Sequence, residues 1–153
     1  MNSQKIILFT LLFLFSTLVC SAQTSGKTAQ SSAKATAQAI RNSPAYAEIL
    51  LRKTEQTAEL EELLVEYTEE FPKVQQLRAE LVLLDKEMNR ILAVNPSEAS
   101  KLTLALGKLM LRKVELELDY AKVQKQYTDD NADVKQAKRK VEIFEAAIKE
   151  ILQ

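Results

Sequence analysis

From Ser43 onward, apolar residues recur in alternating steps of three and four. Val74, Leu77, Leu81, Leu84, Met88 and Ile91 form one unbroken seam. Val134, Ala137, Val141, Phe144, Ile148 and Ile151 form another, each residue 60 positions after its counterpart. A further seam of Tyr46, Ile49, Leu60, Leu63 and Tyr67 returns as Leu106, Leu109, Tyr120, Val123 and Tyr127. This spacing is the a/d signature of helices packed along their length, and the alternation by two that a strand needs is missing. The shared offset extends to polar residues: Leu51-Arg52-Lys53 recurs as Leu111-Arg112-Lys113, and Tyr67-Thr68-Glu69-Glu70 as Tyr127-Thr128-Asp129-Asp130. A fixed period of this length means one supersecondary unit used twice. The pattern predicts an all-α protein of two repeated helical hairpins (repeats about 46–94 and 106–153), packed as an antiparallel coiled coil or a four-helix bundle.

The interruptions place the helix ends. Proline is tolerated at the first helical position and disfavours helix in the residue before it. Ser43-Pro44 therefore opens the first helix and Phe71-Pro72 the second. Asn95-Pro96-Ser97-Glu98 opens the third, with Asn95 as cap and Glu98 completing a capping box. Asp130 or Asn131 caps the fourth, and Asp133 suits its positive dipole end. The expected hairpins are about 44–70/72–94 and 97–128/131–152. Tyr67, Pro72, Tyr127 and Asn131 mark the bends, which either reverse the chain or kink a longer rod, since a proline at the first position fits both.

The third helix is apolar on more than one side. Leu104, Leu111, Val114 and Leu118 lie outside its main seam, so it is expected to be central or at an interface. Those four residues are the candidate partner surface. Gly107, at the place where the first copy has Ala47, lowers helix propensity by roughly 1 kcal/mol and suggests a close helix approach or, alternatively, a kink.

The N-terminal end changes the picture. Lys5 precedes an apolar run from Ile6 to Val19, and Cys20-Ser21-Ala22 supplies small residues around a cleavage point after Ala22. The 14 residues of that run cover roughly 21 Å, short of the ~30 Å hydrocarbon core. The expectation is a signal peptide over 1–22, with membrane contact only if it is retained as an anchor. Residues 23–42, rich in Ser, Thr, Ala and Gln, read as a flexible leader. The helical domain follows over 43–153.

Removing the signal removes the chain's only cysteine and Lys5, leaving one more acidic than basic residue and no His. Disulfides, thiolate or imidazole metal sites and Ser/His or Cys/His catalysis all lack their residues. Asp129, Asn131 and Asp133 have the spacing that opens a calcium loop. Val134, however, stands where that loop needs Gly, and Lys140 where it needs the bidentate Glu. No cofactor is expected, and an enzyme is not. The acidic run Glu55, Glu59, Glu61, Glu62, Glu66, Glu69 and Glu70 and the basic run Lys135, Lys138, Arg139 and Lys140 would be neighbours in an up-down-up-down bundle. Export and the near-zero net charge speak against nucleic acid as the partner of that basic run.

At the first bend, Tyr67-Thr68-Glu69-Glu70-Phe71-Pro72-Lys73-Val74 resembles the Tyr-x-x-x-x-Pro-x-Val element in the coiled-coil segments of polysaccharide copolymerases, the Wzz/GumC chain-length determinants. Tyr127 to Val134 is similar, with Ala132 in place of the proline. The resemblance covers two stretches of about 25 residues and implies a periplasmic coiled-coil module beside envelope polysaccharide or secretion machinery. In layout alone, a signal followed by a short, cysteine-free helical chain is similar to Skp-type periplasmic chaperones. Together these features lead to the expectation of a periplasmic or secreted, non-catalytic helical binding or scaffold protein of the cell envelope. It would work through coiled-coil contacts with a protein partner or with itself. The alternative is a holdase-type chaperone for unfolded envelope proteins.

Overall fold

Residues 38–153 are described in the computed structural model; the expected signal, and the leader as far as residue 37, lie outside them. Four long helices account for most of the described chain: α1 Pro44–Glu66, α2 Pro72–Leu92, α3 Leu104–Gln124 and α4 Ala132–Leu152. A 3-10 helix over Pro96–Lys101 links the halves. There is no strand among the described residues. The protein is an all-α packed helical bundle, as the periodicity predicts. Among the described residues no helix is long and apolar enough to cross a membrane.

The two copies agree at the level of single hydrogen bonds, because the local signals that end each helix were copied with the seams. The Tyr46 N–H donates to Ser43 Oγ and the Leu106 N–H to Thr103 Oγ1, each at 3.3 Å. At the bends, the Phe71 N–H donates to the Thr68 carbonyl and the Asn131 N–H to the Thr128 carbonyl, each at 3.0 Å. Proline opens α2 behind Phe71, which makes no side-chain cap. α4 has no proline and uses the Asn131 side chain instead, which accepts from the Asp133 N–H at 2.7 Å.

The third helix is shorter than its apolar pattern suggests. Asn95 opens the 3-10 helix Pro96–Lys101 rather than an α-helix, and no capping box forms: Asn95 Oδ1 accepts from the Ser97 N–H while Glu98 pairs with Lys101. The chain then breaks at Leu102 and Thr103 before α3 begins. Leu102 is buried, and its carbonyl accepts the Ala45 N–H at 3.2 Å, tying the linker to the start of α1. The repeat carried this information, since Thr103 lies 60 positions after Ser43.

Both bends reverse the chain. In the first hairpin Glu59, near the end of α1, pairs with Lys73 at the start of α2, while Arg52 and Lys53 pair with Glu80 and Asp85 further along it, so the two helices run antiparallel. α3 packs on α4 and also touches α1 and α2, which places it centrally. The main core gathers Ile49, Leu84, Met88, Ile91, Leu106, Met110 and Ile148, where the start of α1 and α3 meets the end of α2 and α4. A smaller core of Leu60, Val74 and Leu77 lies inside the first hairpin. Ile40 is buried in the main core and the Asn42 N–H donates to the Gln38 carbonyl, so residues 38–42, read as leader from composition, already belong to the packed domain.

α1 and α3 approach closely at Gly107. A Cβ built there would stand 3.0 Å from Ala45 Cα and 3.1 Å from Glu48 Cβ, so the helix-weakening glycine is explained by this crossing.

Candidate functional site

The seams bury apolar side chains, yet one group of charges is buried with them. Lys113 and Glu87 have side chains only 4% and 1% exposed, and Lys113 Nζ lies 2.6 Å from Glu87 Oε1. The same ammonium is 3.2 Å from Glu145 Oε2 and 3.4 Å from Glu117 Oε1. Arg90 joins Glu145 at 2.9 Å, and Lys86 joins Glu117 at 3.2 Å. Three carboxylates and three cations thus tie α2, α3 and α4 together around a cleft of about 290 Å³. Glu87 Oε2 and Glu117 Oε2 are buried and accept no hydrogen bond among the described residues.

The network grew from the repeat. Lys53–Asp85 in the first hairpin and Lys113–Glu145 in the second are equivalent pairs, one half-exposed and one central. Burial alone would lower the Lys113 pKa, but the hydrogen bond and charge of Glu87, with Glu117 and Glu145, raise it instead. Burial likewise pushes Glu145 up, and the hydrogen bonds from Arg90 and Lys113 bring it below its ordinary value. Both shifts hold the groups charged across neutral pH, whereas acid–base chemistry works best with a pKa near the operating pH. The arrangement suits a clamp between helices. Sequence reading missed it, although a signal was present. Glu80 and Glu87 lie seven apart, each three residues beyond a seam leucine, and each meets a cation (Arg52, Lys113) from another helix.

The second hairpin differs from the first in how well it is filled. Leu63 and Leu77 of the first hairpin correspond to Val123 and Ala137 of the second, and Gln56 to Leu116. The Glu59–Lys73 pair that spans the first hairpin at 3.0 Å is replaced by two aspartates, Asp119 and Asp133. A groove of about 400 Å³ opens there, floored by Leu116, Val123 and Ala137 and edged by Lys122 and Lys140. The α4 seam is correspondingly less covered: Val134 and Ile148 are buried, while Ala137, Val141 and Phe144 are only half-buried. Ala137→Leu, which restores the first hairpin's side chain, is expected to stabilise the chain by about 1–2 kcal/mol through added burial. A urea midpoint that fails to rise would mean the groove is not at this position.

The residues singled out as a partner surface do not form one. Val114 is 1% exposed and belongs to the main core, with Leu111 and Leu118 packed half-buried against it. Leu104 alone is open, at 46%. The central position of α3 consumes its extra apolar faces within the chain. At the bends, Tyr67 stacks on Phe71 with ring centroids 4.1 Å apart, just ahead of Pro72. Tyr127 has Asn131 where Phe71 would be and so lacks that stacking partner; both tyrosines are exposed.

The acidic and basic runs also do not meet within the chain. Glu59 and Glu69 pair with Lys73 and Arg78 of their own hairpin, whereas Lys135 pairs with Asp130 and Arg139 with Glu142. The reason is topological: α3 stands between, and α1 and α4 share no extended contact. Among the described residues no three His, Cys, Asp or Glu side chains are placed to hold a metal ion. Comparison with known proteins finds no matching family model, no matching curated protein and no matching solved structure.

Proposed function

We propose that this chain is an exported, non-catalytic binding or scaffold protein of the cell envelope that works by laying helices against a partner. The observation that carries the reading is a heptad-spaced apolar row on the outside of α1. Leu51 and Val65 are 58% and 85% exposed, with exposed Ala58 midway between them. A row at that spacing is what a partnering helix recognises. The pattern from Lys5 through Ala22 supports export, and the Tyr67 to Val74 element supports work beside envelope polysaccharide machinery.

A photo-cross-linking residue placed at Leu51 or Val65 in cells should give one adduct of fixed stoichiometry. The holdase reading is favoured instead by the open groove of the second hairpin, whose Leu116, Val123 and Ala137 floor suits an unfolded apolar segment. Suppression of client aggregation by the purified chain, together with heterogeneous adducts at both positions, would replace the scaffold reading with that one.

A further inference from the structure

We propose that a second copy of this chain covers the α1 row, with α1 lying antiparallel on α4 of its neighbour. This deepens the scaffold reading and rests on it. The α1 row carries two acids, Glu61 and Glu62, one turn before Val65; both are exposed and neither enters an ion pair among the described residues. On α4 the exposed apolar residue is Ile143, at 53%, and Arg139, paired within its own helix to Glu142, and Lys140 stand one turn before it. Residues three and four apart share one helix face, so each helix presents an apolar residue beside a matched pair of charges of opposite sign.

The two faces fit in a single register. Setting Glu61 against Lys140 and Glu62 against Arg139, antiparallel, brings Ile143 onto Ala58 and Ala147 onto Thr54. Large then meets small, as interdigitating helices require. A parallel pairing that matches the same charges would set Val65 directly on Ile143, large on large, where the antiparallel register sets large on small. The acidic and basic runs, which α3 keeps apart within one chain, find each other between chains. Exposed ion pairs contribute little stability individually, so they select partner and register; burial of Ile143 over Ala58 drives the association, with Val65 lying over Gln136 and Leu51 over Glu150.

Sedimentation of the purified full chain at low salt should show association that weakens as salt rises. Glu61→Lys with Glu62→Lys, or Arg139→Glu with Lys140→Glu, should reduce the mass to a single chain while leaving helicity and melting temperature unchanged, because all four residues are exposed. Mixing the two charge-reversed variants should restore association, since each then carries the surface its neighbour needs. A wild-type chain that stays single at every concentration overturns the pairing, as does association that survives both reversals. A fixed-stoichiometry adduct between Val65 and a different envelope protein would in that case leave the scaffold reading standing.

Discussion

Lys113→Met is expected to lose about 3–5 kcal/mol of folding stability, because it leaves a buried carboxylate at Glu87 without its cation. In a domain of this size that corresponds to a fall in melting temperature of roughly 10–20 °C. The loss should be read by urea unfolding followed by far-ultraviolet circular dichroism. Adding Glu87→Met to the same chain should recover part of it, since an apolar pair replaces an orphaned charge. If the single substitution costs under about 1 kcal/mol, water is screening the pair and the network is no clamp.

The same network sets a pH dependence whose sign follows from the shifts. The carboxyl of Glu145 is held below its ordinary 4.5 in the folded chain, so its contribution is present above that value and is lost as pH falls through the lowered folded value. Lys113 is raised above its ordinary 10.5, so its contribution is present below that value and is lost as pH rises through the raised one. Stability should therefore be level across neutral pH and fall at both extremes. In Lys113→Met the alkaline fall should shrink.

Gly107→Leu is expected to lose about 3 kcal/mol, because a side chain there drives α3 away from the backbone of Ala45. The contacted atoms are Ala45 Cα and its carbonyl oxygen together with Glu48 Cβ, all fixed by the helix backbone with no rotamer to change. That loss exceeds the up to about 1 kcal/mol that leucine gains over glycine in helix propensity. Ala47 occupies the same position in the first copy but is exposed, so Ala47→Leu should change stability by less than about 0.5 kcal/mol. Equal melting temperatures for the two variants would mean that the α1–α3 crossing is not as close as described.

The contrast between Gly107 and Ala47 shows what was legible beforehand. The substitution of glycine for alanine was visible, and its meaning as a close approach was one of two readings. Which helix it touched was not visible, because Ala45 and Gly107 are far apart in sequence and nothing local links them. The partner surface failed for the same reason. Leu111, Val114 and Leu118 show an apolar excess, and an apolar excess looks alike whether a neighbour in the same chain or in another covers it. The network around Lys113 was hidden because each of its members, read alone, resembles a solvated charge.

Periodicity, duplication, the positions of the bends near Tyr67 and Tyr127 (though not that they reverse the chain) and most helix starts are short-range matters, set by interactions within a turn or two: a proline at the first position, a capping oxygen, seams stepping by three and four. Sequence alone determined these, and the hydrogen bonds that open α1 and close the first bend recur at α3 and the second bend. Tertiary structure decided which copy of each repeated position is buried: Lys113 rather than Lys53, Leu77 more fully than Ala137, Gly107 and not Ala47. The cause is that α3 occupies the centre, so equal sequences meet unequal surroundings, and burial, pKa and packing depend on what lies across the gap.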